Sequence, residues 1–259
     1  MQDLDNLALV EDLSFPWCNS NAATTSVMEA ISFVTPVLEN FVVCTVAEGL
    51  AGMPNSQIYL RCRAFIREES NHSRVHKKFN ASLLKYLVMA PPGLTLVQLL
   101  LNAARKRLSL FRRLLLVAAL EHFAAALSRG YLQQETGWDF RSVSAKELFA
   151  QHAREELAHR AVAFDLWLSK GTTGRVERCF TVLAIMVAGF VYVSAAVPWI
   201  IYRKTGKHLS NTMIALARCL LRTCLHIESY SILGELFSFA RGDYHPDRVI
   251  DKNAADGMK

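Results

Sequence analysis

Residues 65–80 read FIREESNHSRVHKKFN, and residues 152–167 read HAREELAHRAVAFDLW. Each stretch contains Glu-x-x-His, as Glu69 with His72 and as Glu156 with His159. On an α-helix, residues three apart share a face, so each pair aims two metal-ligating groups at one spot. Single carboxylates in apolar surroundings interleave with them: Glu39 within VTPVLENFVVCTV and Glu121 within LLLVAALEHFAAAL. The order along the chain is Glu, Glu-x-x-His, Glu, Glu-x-x-His. One such pair is common on helix surfaces; two, alternating in order with single carboxylates in apolar segments, make a far more specific pattern.

Working outward, Thr35-Pro36 reads as the N-cap and first residue of a helix running to about Glu48. Gly52-Met53-Pro54-Asn55 breaks it, and a second helix follows from Ser56 to about Leu84. Ala90-Pro91-Pro92-Gly93 is the next breaker. A third helical stretch spans Leu94–Ser128, bent near Leu108-Ser109 and closed by Gly130. Ser144 with Glu147 forms a capping box that opens a fourth helix, to about Ser169. Residues 174–203 and 209–241 form two further long helices, and the chain from Gly242 is polar. No stretch has strand period. The expectation is an all-α chain, one domain over 1–259. Residues 30–170 form a ferritin-like four-helix bundle, with the long stretch between Glu69 and Glu121 as its single crossover. Residues 174–241 form two apolar covering or membrane-associated helices, and 242–259 a polar tail.

Of the residues, 52% are hydrophobic, and the formal net charge is +6. The basic residues are spread along helical stretches such as ARKRLSLFRR rather than gathered into one tract with interleaved aromatics, which argues against a nucleic-acid partner. Six cysteines (Cys18, Cys44, Cys62, Cys179, Cys219, Cys224) show no C-x-x-C spacing, as expected for a reduced, cytoplasmic setting without structural disulfides or zinc knuckles. The acidic start, MQDLDNLALVEDLSF, lacks the basic n-region of a secretory signal. Cys179–Tyr202 is an uncharged run between Arg175, Arg178, Arg203 and Lys204. It is long enough to cross a bilayer, equally suited to a buried helix, and leaves association with the inner membrane open.

Mixed carboxylate and imidazole ligands with no thiolate suit iron or manganese better than structural zinc. Two iron ions are the expected cofactor, with manganese or a mixed pair as alternatives. Glu39 and Glu121 would be terminal or chelating ligands. Glu69 and Glu156 would bridge, and His72 and His159 would each cap one metal. Four carboxylates buried together without cations would be forced to protonate, so the pattern calls for its own metals. His76, one turn after His72, and His152, one turn before Glu156, are the candidate catalytic groups: a further ligand, a proton shuttle or a donor behind the ligands. Glu68 and Glu155 are neighbours of the proposed ligands, and on a helix they face about 100° away. His122 points away from Glu121 toward a carboxylate elsewhere. Asp165 is either a bridge to a His or Arg on a neighbouring helix or a surface residue.

The segments FIREESNHSRVHKKFN, ALEHF and HAREELAHRAVAFDLW resemble the signature stretches of a bacterial family known as predicted metal-dependent hydrolases. That family is similar to the ferritin-like two-metal superfamily. The likeness extends over about residues 30–247, from Thr35-Pro-Val-Leu-Glu39 to the His-Pro element in Tyr244-His245-Pro246. Departures are Leu38 and Glu68, where the family usually has Gly and Gln, and the absence of its usual Trp near Phe149-Ala-Gln-His152. Carboxylate sites with two irons more often activate dioxygen than hydrolyse, so the leading expectation is oxidation of an apolar or aromatic small molecule inside a dry, apolar shell. This would require dioxygen, a lipophilic substrate and an electron donor. Metal-dependent hydrolysis at the same centre is the alternative. A non-enzymatic helical membrane protein is a third reading. A homodimer is left open.

Overall fold

The computed structural model describes residues 13, 16–19, 21–53, 56–133, 138–206, 214 and 232–248. These are all-α, and among them the β pairing is a single antiparallel bridge between Cys18 and Phe140. Helix α1 (Ala22–Gly49) starts well before Thr35: Asn21 caps it, its side chain accepting from the backbone N–H groups of Ala23 and Thr24. Pro36 therefore lies inside the helix rather than at its start. A proline cannot donate to the carbonyl four residues back, which here belongs to Ser32. That carbonyl accepts instead from Asn80 Nδ2 at 2.8 Å, so the missing helical bond is replaced by one between helices.

Ser56 caps α2 (Gln57–Leu87), accepting from the Tyr59 N–H at 3.1 Å. Gly93, at φ +87°, turns the chain into α3 (Leu94–Arg107). A Cβ there would also press within 3.2 Å of the Tyr192 ring. The expected bend at Leu108-Ser109 is a full break. Leu108 is extended, and Ser109 caps a separate α4 (Leu110–Leu132). Gly130 sits buried inside α4 rather than ending it. Ser142, not Ser144, caps α5 (Val143–His159), its hydroxyl accepting from the Ala145 N–H at 3.1 Å. The fourth helix also breaks after His159, and α6 (Val162–Ser169) continues from there. Helix α7 (Arg175–Thr205) ends at Gly206 in the left-handed conformation. The expected helix at 209–241 falls mostly outside the described residues, which resume with α8 (Ile232–Ser238) and a 3-10 turn at Pro246–Arg248.

Helix α1 packs on α2, and α4 packs on α5 and α6; α1 also meets α4, and α2 meets α5. The short α1–α2 and α4–α5 connections make two hairpins, and α3 carries the chain between them across α1. Two apolar clusters form along these helices. One gathers Phe33 of α1, Phe79 of α2 and Phe149 of α5 around Trp17. The other gathers Phe41, Phe65, Leu114 and Trp167. On α1, α2 and α5, the residues between the two clusters are Glu39, Glu69 with His72, and Glu156 with His159. A buried polar layer thus lies between the two apolar clusters, which hold its side chains in place.

Among the described residues, two helices are long and apolar enough to cross a membrane, α1 and α7. Much of the apolar window of α1 is buried, and the helix carries Glu39. The window of α7 is only 22% buried, with Val176, Phe180, Leu183, Val187 and Phe190 exposed along one side. Two of the four cations around it are nevertheless used inside the protein. Arg178 is buried, its guanidinium 4.9 Å from the centre of the Phe239 ring and 5.5 Å from those of Phe164 and Trp167. Lys204 is paired with Glu29, which is wholly buried and also accepts from Trp17 Nε1 at 3.0 Å. Burial raises the Glu29 pKa, and Lys204 opposes that rise. Removing Lys204 leaves a carboxyl buried without its cation. Lys204→Ala is expected to lower unfolding free energy by about 3 kcal/mol in chemical denaturation, and Glu29→Leu with Lys204→Met to recover most of it.

Candidate metal centre

Helix spacing alone places Glu69 and His72 on one side of α2, and Glu156 and His159 on one side of α5. The packing of α2 against α5 brings the two sides face to face. Ligand atoms of these four buried side chains all lie within 4.8 Å of one another. A second group, sharing His72, joins Glu39 of α1 with His152 of α5 under the same limit. His159 Nδ1 approaches Glu69 Oε1 at 2.9 Å. His72 Nδ1 lies 3.3 Å from Glu69, 3.6 Å from Glu156 and 3.9 Å from Glu39. Glu121 of α4 is buried in the same layer beside Glu156, a neighbourhood that favours its protonated form. Its oxygens belong to neither close group.

The outer nitrogens of the two imidazoles are held in a reciprocal clasp. His72 Nε2 bonds Glu155 of α5, and His159 Nε2 bonds Glu68 of α2 at 2.6 Å. In each Glu-Glu-x-x-His run, the second Glu and the His face inward, while the first Glu crosses to the His of the other run. With Nε2 engaged by carboxylates, Nδ1 of both rings is turned toward the shared interior. Carboxylates behind metal-binding imidazoles fix their tautomer and raise their basicity in this way.

The interior is left polar and unpartnered. Both oxygens of Glu39, Glu69 Oε1, Glu121 Oε2 and Nδ1 of His72 and His159 are buried without a hydrogen-bond partner. Buried polar atoms are otherwise almost always bonded, so this concentration of lone pairs marks where cations belong. Burial, then repulsion from Glu69, raises the Glu39 pKa well above the carboxylate range. Burial, then Glu156, does the same to Glu121. Burial alone would neutralise His72, yet its bond to Glu155 and the nearby charge of Glu69 carry it up to about 11. His159 is raised likewise, against the effect of its burial, by Glu69 and Glu156. Burial works against the charge on Glu69 too, but interaction with His159 and His72 takes its carboxyl down to about 2. Without metal, the layer draws in protons to supply the positive charge it lacks. Carboxylates and imidazoles, with no thiol, make a site fit for divalent metal.

A model of the family described as predicted metal-dependent hydrolase matches residues 6–249. The chain belongs to this family. No curated protein and no solved structure matches the chain.

In this member of the metal-dependent hydrolase family, His76 and His152 form a chain that leaves the layer. His152 Nε2 lies 2.8 Å from Glu156 Oε1, and its Nδ1 lies 2.8 Å from His76 Nε2. His76 Nδ1 is 2.9 Å from Ser32 Oγ, which donates to Asn80 Oδ1 at 2.7 Å. Ser32 and Asn80 were not apparent as site residues in the sequence. The only trace is that Asn80 falls one turn after His76. Helical angle alone turns Glu68 and Glu155 away from the ligands, although the doubled Glu in both motifs is a visible signal.

The remaining candidates lie outside the layer. His122 does not meet a side-chain carboxylate: its Nε2 donates to the Glu235 carbonyl at 2.9 Å, and its Nδ1 accepts from the Tyr244 hydroxyl at 2.7 Å. Asp165 is a bridge rather than a free surface group. It accepts from Arg61 at 2.6 Å and meets His245 at 3.1 Å, tying the Tyr244-His245-Pro246 segment to α6. The dry apolar shell expected around the centre is incomplete: the two apolar clusters flank it along the helices, but one side is open. Glu155 and Glu68 border it on one side with side chains 28% and 40% exposed.

Proposed function

We propose that the protein is a hydrolase whose centre holds two divalent cations, iron or manganese, between α1, α2, α4 and α5 in the manner of ferritin-like two-metal proteins. Glu69, His72, Glu156 and His159, with Glu39 and Glu121, are the residues that would hold them. Such cations supply Lewis-acid polarisation of a carbonyl or phosphoryl group and lower the pKa of a water. The observation that carries the reading is the convergence of buried, unpartnered carboxylate oxygens and imidazole Nδ1 atoms in a chain of this family. Hydrolysis replaces the oxidation favoured by the ligand pattern alone. The family description points that way, and a centre bordered by part-exposed carboxylates admits the water that an oxidant would have to be shielded from.

The hydrogen-bond chain gives His152 its role. The Asn80 amide donates to the Ser32 carbonyl and accepts from the Ser32 hydroxyl. Ser32 Oγ can then only accept, so His76 must carry its proton on Nδ1. Burial, followed by repulsion from His152 and His72, lowers the His76 pKa and keeps it neutral. Its Nε2 lone pair therefore accepts from His152 Nδ1–H. The atom of His152 left to take up a proton is Nε2, on the side facing Glu156. We assign His152 as the general base that takes a proton from the attacking water, and His76 as the residue that positions it.

Anaerobic turnover separates the readings. Protein reconstituted with Mn(II) or Fe(II) under argon is expected to hydrolyse members of a panel of carboxylic esters, phosphoesters and amides. His152→Ala is expected to slow that turnover by roughly 10²–10⁴-fold while metal content is retained. Turnover that requires dioxygen and a reductant, with none under argon, would contradict hydrolysis and restore oxidation.

A further inference from the structure

A cleft of about 510 Å³ between α1 and α2 has Glu39 in its lining and opens to solvent. An adjoining cleft of about 250 Å³ continues toward α3, and the two share Asn40 and Lys77. Together they fall in the size range of small-molecule sites. Their charge is one-sided. Arg74, Lys77 and Lys78 line the first and Arg105 the second, and Glu39 is the only acidic residue in either lining. Lys77 projects where the two meet, exposed and bonded to no described residue. It acts on Glu39 through space, against the larger effects of burial and of Glu69. Away from Lys77, one side of the second cleft carries Pro36, Val37, Phe41 and Leu101, and the rest of its lining is polar, with Gln98, Asn102 and Arg105.

We propose that the substrate is a small amphiphilic anion, with its phosphate or carboxylate held by Lys77 at the junction of the clefts and its apolar part lying between α1 and α3. This rests on the two-metal centre as the reacting site, since Glu39 belongs to that centre and also lines the cleft. A cation at the mouth of a cleft concentrates anions there and orients them, whereas a neutral molecule of the same shape gains nothing from it. The apolar wall then distinguishes an amphiphile from a free inorganic anion.

The test is calorimetric titration of the full chain, Mn(II)-loaded and metal-free, with hexyl phosphate, hexanoate and hexanol at low salt. At least one anion is expected to bind about tenfold or more tightly than hexanol. Lys77→Glu is expected to weaken that anion by roughly tenfold or more, with Lys77→Arg close to wild type and hexanol unchanged. Whichever anion binds more tightly names the head group. Lys77→Gln serves if the charge reversal disturbs folding, judged by thermal melting. Hexanol binding as tightly as both anions would overturn the inference, as would anion binding that follows the metal but ignores Lys77. Absence of anaerobic turnover, by contrast, would overturn the hydrolase reading and leave this binding result standing.

Discussion

Glu69→Ala is expected to abolish metal binding and to lower any metal-dependent turnover by about 10³-fold or more. Glu69 lies between the two imidazoles of the layer, within 2.9 Å of His159 and 3.3 Å of His72. Alanine removes a shared ligand and leaves two imidazoles and three carboxyls facing one another without it. Metal analysis after anaerobic loading, alongside turnover, reads both effects. Glu155→Gln is the graded counterpart. It keeps a group behind His72 but takes away the charge, so metal affinity is expected to fall by about 10–100-fold rather than vanish. Equal, complete loss in the two variants would mean that the layer is simply failing to fold. Wild-type metal content in Glu69→Ala would remove Glu69 from the ligand set.

Glu121→Gln is expected to move stability and function in opposite directions. In the metal-free protein, burial raises the pKa of Glu121 above its ordinary 4.5, with Glu156, Glu69 and Glu39 adding to the rise. A group whose pKa is higher in the folded than in the unfolded chain contributes stability that is complete below the unfolded value. That stability is lost as pH rises through the folded value. Glu39 behaves in the same way. Metal-free wild type should therefore be less stable at about pH 8 than at about pH 5. Glutamine stays neutral throughout and can donate to Glu156, so the metal-free variant should be more stable than wild type at about pH 8, by about 1–3 kcal/mol. The same variant should bind metal poorly and turn over at least about 10²-fold more slowly. Stabilisation of the wild type by metal must run the other way with pH, because binding displaces protons from Glu39, Glu121, His72 and His159. Thermal melts with and without Mn(II) at the two pH values test this. A metal-free Glu121→Gln protein that is less stable than wild type at the higher pH would contradict it.

Much of this centre could be read from the chain before its fold was known, and the reason is periodicity. Glu69 with His72 and Glu156 with His159 lie three apart, which fixes their common face once a helix is granted. Glu39 and Glu121 stand out because their neighbours are apolar on nearly all sides. What the chain does not display is anything set by contact between helices. Glu68 and Glu155 face away from the ligands by angle on their own helices, yet their partners lie on the opposite helix. The Ser32–Asn80 bonds depend on a carbonyl freed by Pro36, a residue that in isolation reads as a helix start. Local capping misled for a related reason: Ser144 and Glu147 fit a capping box, but Ser142 is the residue in extended conformation with its hydroxyl over the Ala145 N–H. Oxidation follows from ligand type alone, which says little about the wetness of the surroundings.

The most direct test of the two-metal centre is metal stoichiometry by mass spectrometry of the intact, natively folded chain after anaerobic loading with Mn(II) or Fe(II). The account predicts two ions per chain in the wild type, and none in the Glu69→Ala, Glu156→Ala double variant with unchanged helical content. A wild-type chain that takes up no metal, or a double variant that keeps both ions, would contradict it.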